Sequence, residues 1–212
     1  MTQPSSDIAF TPTVKAIQAA RGSRAAYARL EAGGGWQTRI TPDLTGFIAS
    51  ARSFYLATAT ADGQPYIQHR GGPSGFLHVL DPGTLAFADF KGNRQFITTG
   101  NLADNPRAFI FLMDYAGRKR VKIWGSARTV GDDAALLVRL VPEGYKARPE
   151  QAIVFEIAAW DTNCPQHIPQ LFAAEDVGLT ITQLQTRVRE LEAENEAMQA
   201  RLASIEGAPT TG

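Results

Sequence analysis

The 212-residue chain has a single cysteine, Cys164, no net charge and no long apolar run. A lone cysteine cannot form an internal disulfide, and no apolar run approaches the roughly 18–20 residues that cross a bilayer. The first ten residues, MTQPSSDIAF, lack the basic and apolar segments of a signal peptide. Twenty-one basic side chains balance twenty-one acidic ones, which argues against a protein that coats nucleic acid or an anionic membrane. We therefore expect a cytoplasmic protein with no nucleic-acid or membrane partner.

No internal repeat is present, and the composition is that of a folded protein, with 44% apolar and 20% charged residues. The length fits one domain with an appendage. Residues 1–40 are expected to form an N-terminal helical arm, in which Gly22-Ser23 divides the helix-favouring stretch 13–30 into two. Thr41-Pro42-Asp43 then predicts the start of a further short helix.

Residues 41–172 are predicted to form one mainly β domain. Asp62-Gly63 between two strand-like runs is a strong hairpin signal. Further helices are expected over 93–103 and 132–140. The predicted strand segments are 54–60, 65–70, 76–80, 84–88, 108–114, 120–130 and 152–158, of which 76–80 resumes the run of 65–70 after a loop or large bulge at 71–75. About six strands with few helices indicate an antiparallel barrel rather than a parallel α/β sheet.

Residues 175–206 carry a heptad pattern. Positions a are Ile181, Val188, Asn195 and Leu202, and positions d are Leu184, Leu191, Met198 and Ile205. β-Branched residues at a, leucine at d and one asparagine at a favour a parallel two-stranded coiled coil. Arg187 at g can then pair with Glu192 at e of the partner helix. The alternative is an amphipathic helix that packs on its own domain.

The segment 87–95 contains the first candidate binding residues. It is predicted to leave a strand, turn at Gly92 and enter a helix with Asn93, Arg94 and Gln95 near its N-terminus. The free N–H groups and dipole of a helix N-terminus favour an anion, and an arginine adds a bidentate phosphate contact. The segment therefore predicts a phosphate site, although an ordinary capped helix with an exposed arginine would have the same sequence.

Two further strands carry polar and basic side chains. Alternation on a strand places Gln68 and Arg70 on one face and His69 on the other, and Gly71 allows a ligand to approach the backbone. On a later strand Arg120 and Lys122 share a face. They are either part of a solvated strand edge or a source of positive charge for an anionic cofactor.

The segment 160–168 follows the last strand and is rich in polar residues. Cys164 and His167 have the spacing of half a zinc site, but no other cysteine completes one, so no metal is predicted. A Cys–His nucleophile pair, a loop over a pocket and a plain connection to the C-terminal helix remain open for this segment.

In their order and spacing these segments resemble the pyridoxamine 5'-phosphate oxidase-like family of FMN-binding split barrels. The matching segments are 62–66, Phe87-Ala88, 92–95, 105–107 and 120–125, so the resemblance covers roughly residues 47–130 and extends more weakly to Ile168. It implies a six-stranded antiparallel split barrel that forms a homodimer, with two FMN sites at the subunit interface.

The resemblance also implies roles for individual residues. It places Gln68, His69, Arg70 and Gly71 along the flavin, Phe87 and Ala88 against it, and Arg94 at its phosphate. Asn93 and Gln95 are the cofactor-binding candidates beside Arg94, and Gln95 stands where the oxidases often have lysine. Arg120 and Lys122 would approach the flavin ring, and Asn163, Gln166 and His167 would come from the C-terminal loop. His69 and His167 are the candidate proton donors.

The expected function is that of an FMN-dependent oxidoreductase acting on a small substrate. A non-catalytic flavin carrier or sensor with a coiled-coil interaction module is the alternative, and a split barrel that binds haem or a deazaflavin is a third possibility. Vitamin B6 oxidation is disfavoured because the family's R-x-V-L-L-K strand is replaced by Gln68-His69-Arg70-Gly71-Gly72-Pro73, and because the family's C-terminal substrate-binding residues are not recognisable.

Overall fold

A computed structural model describes residues 3–162 and 165–206 of the chain. It divides into two units, one that ends at Ile168 and one that begins at Pro169. Within the described residues the first unit has a short 3-10 helix (Ser5–Ile8) and five α-helices, α1 (Pro12–Ala20), α2 (Arg24–Ala32), α3 (Pro42–Ser50), α4 (Ile97–Asp104) and α5 (Ala134–Leu140). The strands described are β1 (Ser53–Ala59), β2 (Pro65–Gly71), β3 (His78–Asp81), β4 (Thr84–Phe90), β5 (Arg107–Asp114), β6 (Lys119–Val130) and β7 (Pro149–Thr162).

The strands form one sheet in the order β2-β1-β5-β6-β7-β4-β3, and every neighbouring pair is antiparallel. The mainly β, antiparallel prediction is confirmed, with seven strands where about six were expected. The additional strand arises because the chain leaves β2 at Gly71 and re-enters the sheet as β3 at the opposite edge. Between them Phe76 and Leu77 turn into the core instead of extending β2.

Local sequence signals account for the turns and helix starts. Gly63 closes the β1–β2 hairpin with a φ of 95°, and Gly22 separates α1 from α2 with a φ of 79°; both values favour glycine. The hydroxyl of Thr41 accepts the Leu44 N–H at 3.3 Å and so caps α3. These three features agree with the sequence predictions.

The predicted helix over 93–103 was wrong at its start, because α4 begins at Ile97. Arg94 and Phe96 have φ values of 59° and 55°, which belong to the left-handed region and cannot continue a right-handed helix. The side chain of Asn93 accepts the backbone N–H of Gln95 at 3.3 Å, a local turn that competes with helix formation. The segment before α4 is therefore an irregular turn.

The core lies inside the curved sheet. Alternate residues of β1, Phe54 and Leu56, are 1% and 0% exposed, and Ile110 and Leu112 of β5 face the same interior. A second buried cluster lies on the other side of β4 and consists of Ala86, Ala88, Leu140, Ala152 and Val154. Burial of apolar area stabilises the fold by about 25 cal/mol per Å². The side chains of β4 that belong to these two clusters are therefore held in the core and are not available to a ligand.

The N-terminal arm docks on the sheet through aromatic contacts. Trp36 stacks on Trp124 of β6 with a centroid separation of 4.5 Å, and Phe10 meets Trp36 edge-on at 5.0 Å. The Trp160 backbone N–H donates to the Gln37 carbonyl at 2.8 Å. These contacts place the arm on the face of β5 and β6 that points away from the core.

A charged network holds the arm together. The ammonium of Lys15 lies 2.6 Å from an Asp7 oxygen and 3.3 Å from a Glu31 oxygen, and Arg24 pairs with Glu31 on the other side. The hydrogen bond from Lys15 lowers the pKa of the Asp7 carboxyl, and the one from Arg24 lowers the pKa of Glu31. The arm is thus ordered by ion pairs as well as by stacking.

The second unit is a single long helix, α6 (Ala174–Glu206), of 33 residues. At 1.5 Å per residue it is about 50 Å long. Of the helices in the described part of the chain, none has the length and apolar character that crossing a membrane requires.

Candidate functional site

One polar cavity lies between β2, the end of β4 and the irregular turn before α4. We call it the Arg70 cavity. Its lining residues are Tyr66, Gln68, Arg70, Asp89, Phe90, Gly92, Asn93, Arg94, Gln95, Phe96, Ile97, Thr98, Thr99 and Glu150. Five of the predicted cofactor-binding residues, Gln68, Arg70, Asn93, Arg94 and Gln95, are therefore brought together here.

Alternation on β2 decides which of its side chains enter the cavity. Gln68 and Arg70 point into it and are partly buried, whereas His69 and Gly71 are exposed on the opposite face. The Gln68 amide oxygen accepts a hydrogen bond from the Thr98 hydroxyl at 2.9 Å. This bond connects β2 to the first turn of α4 and fixes the orientation of the Gln68 amide.

Arg70 is held at the base of the cavity by Asp89. Its guanidinium pairs with an Asp89 carboxylate oxygen, and it lies 5.7 Å from the centroid of the Phe87 ring. The second Asp89 oxygen accepts from the Gln151 amide at 2.9 Å, and that amide also donates to the Thr99 hydroxyl at 2.9 Å. Asp89 and Gln151 thereby position Arg70.

Arg94 contributes a second cation at the rim. Its side chain is 57% exposed, and its Nε lies 3.8 Å from a Glu150 oxygen, a weak contact at an exposed site. The guanidinium also lies 5.4 Å from the Phe96 ring centroid. The Arg94 side chain is consequently free to turn toward a ligand in the cavity.

The donors of the cavity fit a phosphate group. The Nε of Arg70 is buried and has no hydrogen-bond partner among residues 3–162 and 165–206. The first N–H groups of α4 have no intrahelical acceptor and carry the positive end of the helix dipole. The carboxylates of Asp89 and Glu150 balance the two arginines, so the cavity as a whole is close to neutral.

Phe87 and Ala88 of β4 lie beside the cavity but do not open into it. They are 1% and 5% exposed and belong to the two buried clusters. Their side chains pack in the core on either side of β4, which leaves the Phe87 ring to support Arg70 from beneath.

The predicted proton donors lie elsewhere. His69 is exposed, and its ring centroid lies 5.6 Å from that of Tyr55 on the outer face of the sheet. His167 and Gln166 are exposed in the turn after β7, where His167 has a φ of 64°. Asn163 and Cys164 lie outside the described residues.

Arg120 and Lys122 lie outside the Arg70 cavity. Arg120 lines a cavity with Phe47, 117–119, Val121, Thr162 and Pro165, and its buried Nε has no partner in the described parts of the chain. Lys122 pairs with Asp161 at 3.0 Å and lies 5.2 Å from the Trp124 ring centroid. Within one chain these two residues therefore lie outside the lining of the Arg70 cavity.

Sequence reasoning did not identify four polar lining residues of the cavity, Asp89, Thr98, Thr99 and Glu150, or Gln151, which bonds to Asp89 and Thr99 from outside the lining. For Asp89 a signal existed, because alternation on a strand places it on the same face as Phe87. Gln151 is 62 residues from its partner Asp89, and no local pattern connects the two.

Residues 40–164, more than half of the chain, match the family model described as pyridoxamine 5'-phosphate oxidase. The chain belongs to this family. Its antiparallel sheet with flanking helices is accordingly the family's split barrel, as the resemblance implied. No curated protein matches the chain.

The chain is also similar to solved structures of low sequence identity. HupZ of Group A Streptococcus is 18% identical with a TM-score of 0.49, and the match covers 63% of this chain and 99% of that one. A putative pyridoxamine 5'-phosphate oxidase of Lactobacillus delbrueckii is 18% identical with a TM-score of 0.47, covering 59% and 95%. An FMN-binding protein of Syntrophomonas wolfei is 11% identical with a TM-score of 0.44, covering 69% and 97%.

Proposed function

We propose that the chain binds FMN, with the phosphate in the Arg70 cavity. The observation that carries this proposal is the buried Nε of Arg70, which has no hydrogen-bond partner in the described part of the chain, beside the exposed Arg94 and the first turn of α4. Guanidinium groups and helix N-termini are the donors that bind phosphate best. The Thr99 hydroxyl and the Asn93 amide add neutral donors at the same place.

The proposed activity is that of an FMN-dependent oxidoreductase acting on a small substrate. When bound, the flavin supplies hydride or electron transfer, while the protein binds and orients it and sets its electrostatics. Arg70 and Arg94 hold the phosphate, and Gln68 presents an amide whose orientation Thr98 fixes. Arg120 or Lys122 would supply positive charge near the flavin ring, and His69 or His167 would supply a proton.

A homodimer is part of this proposal, because the lining of the Arg70 cavity within one chain includes none of the residues proposed for the flavin ring and the proton, namely Arg120, Lys122, His69 and His167. The outer face of the sheet is a surface that a second copy can cover. Ile67 on β2 is 64% exposed and Tyr55 on the adjacent β1 is 39% exposed. Large apolar side chains on neighbouring strands favour burial in an interface.

A non-catalytic flavin carrier or sensor is the second candidate. The described lining of the Arg70 cavity includes no histidine, lysine or cysteine, so one chain places no proton donor of these types beside the phosphate site. A carrier needs the binding groups alone. The two candidates therefore differ in turnover and not in cofactor.

The first experiment is an absorbance spectrum of the purified protein before and after addition of FMN and removal of excess. We expect flavin bands near roughly 370 and 450 nm; a colourless protein that takes up no FMN overturns the proposal. Bleaching of those bands by NADH or NADPH, followed by reoxidation with an acceptor, distinguishes an oxidoreductase from a carrier.

Arg94→Ala tests where the phosphate binds. Loss of a charge-assisted contact is expected to weaken FMN binding by about tenfold or more, which corresponds to about 1.4 kcal/mol. Riboflavin, which has no phosphate, is expected to bind both proteins equally. Arg128→Ala is the matched control, since Arg128 is an exposed arginine of β6 outside the cavity. Equal FMN affinity of the Arg94 variant and this control contradicts the assignment.

A further inference from the structure

The helix α6 exposes a continuous apolar stripe. Its positions a and d are between 46% and 61% exposed at Ile181, Leu184, Val188, Leu191, Met198 and Leu202. Val177, at d one heptad earlier, is 43% exposed and lengthens the stripe. A stripe of large apolar residues at a and d, on a helix whose other positions are mostly polar, is typical of a coiled-coil seam.

We propose that α6 pairs with α6 of a second copy of the chain as a parallel, in-register, two-stranded coiled coil. This interface uses residues of α6 alone, none of which belongs to the outer sheet face or to the lining of the Arg70 cavity. It goes beyond the proposed function, because an FMN-binding barrel needs no coiled coil. Asn195 and Arg187 make the contacts that select a second copy as the partner. The same contacts select the parallel direction and the in-register alignment of the two helices.

Asn195 selects the parallel direction and the register. In a parallel, in-register pair the two Asn195 side chains meet at an a layer and can hydrogen-bond to one another. In an antiparallel pair a residues pack beside d residues of the partner, so each amide would lie against leucine or methionine. Burial of an amide without a hydrogen-bond partner is unfavourable. Within one helix the Asn195 oxygen accepts from Gln199 at 2.8 Å, which leaves its NH₂ group available.

Charge complementarity favours the same arrangement. A g residue of one helix lies near the e residue five positions later on a parallel partner, and here Arg187 lies near the partner subunit's Glu192. Within one helix the Arg187 guanidinium lies 3.0 Å from Glu190 and 3.8 Å from Glu194. These exposed pairs contribute little and do not prevent the contact across the seam.

Symmetry adds a consequence that rests on the proposed sheet-face dimer. A parallel coiled coil and a two-fold sheet interface each pair identical surfaces. If the two interfaces joined different pairs of chains, the assembly would contain four copies or more. A closed assembly of two copies, each of 22.9 kDa, therefore requires both interfaces to join the same two chains. The coiled coil then keeps the subunits together when the flavin is absent.

The test uses the full-length chain in four forms: wild type, Ile67→Glu, Leu191→Glu and the double variant. Ile67→Glu places a charge on the sheet face, and Leu191→Glu places one in the seam. Leu179→Glu is the matched control, because Leu179 is 65% exposed at position f, outside the seam. Sedimentation velocity without flavin measures mass and dissociation constant.

We expect Ile67→Glu alone, and Ile67→Glu with Leu179→Glu, to remain dimeric. In the Ile67→Glu background Leu191→Glu is expected to raise the dimer dissociation constant at least about 100-fold and give a monomer. A monomeric Ile67→Glu protein, or a double variant that stays dimeric, overturns the proposal. Loss of FMN binding would leave this result unchanged, so failure of the flavin proposal is recognised separately.

Direction and register are tested by cross-linking in a Cys164→Ser background. Leu202→Cys at position a is expected to form an intersubunit disulfide under mild oxidation, because equivalent a residues meet in a parallel pair. Ala200→Cys, at the outward position f, is expected to form at least about tenfold less cross-linked dimer. Equal cross-linking of the two variants, or none for Leu202→Cys, contradicts a parallel in-register seam.

Discussion

Arg70 on β2 and Asp89 on β4 form an ion pair between two strands that do not hydrogen-bond to each other in the described sheet. β2 is at one edge of the sheet and β4 lies next to the other. Their side chains are only 14% and 16% exposed, so the pair is shielded from solvent. It joins the two ends of the sheet at the base of the Arg70 cavity and neutralises a cation that a phosphate would need.

We expect Asp89→Asn to distinguish the structural role of the ion pair, which joins the two ends of the sheet, from its effect on the charge of Arg70. Removal of the carboxylate leaves the Arg70 charge uncompensated, so the affinity for FMN is expected to rise by about three- to tenfold at low salt. The same change weakens the connection between β2 and β4, and the free energy of unfolding is expected to fall by about 1–3 kcal/mol. Fluorescence titration and urea unfolding measure the two effects.

Riboflavin and salt provide the controls for this prediction. Riboflavin affinity is expected to stay unchanged, and the gain for FMN is expected to shrink at 0.5 M salt, where the Debye length is only about 4–5 Å. An equal gain for both ligands would mean that Asp89 acts on the flavin ring or on the shape of the cavity instead of on the phosphate.

The Arg70 cavity shows which parts of a site can be predicted from the local sequence. Alternation on β2 separates Gln68 and Arg70 from His69, and the structure has this arrangement. The contact of Asp89 with Gln151 joins residues 62 positions apart, and only the pairing of β4 with β7 brings them together. Such contacts depend on tertiary topology, which periodicity within one segment does not specify.

The two helices α4 and α6 show the same division. The heptad pattern predicted a helix over 175–206, and α6 spans Ala174–Glu206, because a repeated seam is a long and redundant signal. The start of α4 was misplaced because Arg94 and Phe96 adopt left-handed φ values, which glycine usually marks in a sequence. Nothing in the residue types signals that backbone conformation.

His78 is expected to make stability depend on pH in the mildly acidic range. Burial is the main cause that lowers its pKa from the ordinary value of 6.5, and its buried Nε2 has no partner among the described residues. The folded state therefore binds fewer protons than the unfolded state below that value. This contribution to stability is present above pH 6.5 and is lost as the pH falls through the folded-state pKa.

Urea unfolding of the wild type and His78→Gln at pH 7.5, 6.5 and 5.5 measures this effect. The wild type is expected to lose more unfolding free energy over this range than the variant. The lowered carboxyl pKa values of Asp7 and Glu31 act only near and below their ordinary values of 3.8 and 4.5. His69→Gln, at an exposed site, serves as the control; parallel pH curves for wild type and His78→Gln would exclude this role for His78.

Trp36 is expected to control the docking of the N-terminal arm. Its stacking on Trp124 at 4.5 Å and its contact with Phe10 attach the arm to the outer face of the sheet. Trp36→Ala is expected to lower the free energy of unfolding by about 1–3 kcal/mol and to expose the arm to proteases. Trp36→Phe keeps a ring at this position and is expected to restore most of the protection; cleavage of the arm at wild-type rate in Trp36→Ala would contradict this prediction.

Asn195→Leu is expected to stabilise the coiled coil while removing its specificity. A leucine at position a buries more apolar area than an amide and needs no hydrogen-bond partner, so the thermal transition of α6 is expected to rise. The parallel direction is then no longer enforced, and we expect higher oligomers beside the dimer in sedimentation velocity. In the Cys164→Ser, Leu202→Cys background the disulfide yield is expected to fall, because antiparallel pairs separate the two cysteines. A variant that is less stable than the wild type would show that Asn195 stabilises the helix itself through its bond with Gln199, and that the direction of pairing is determined by other residues.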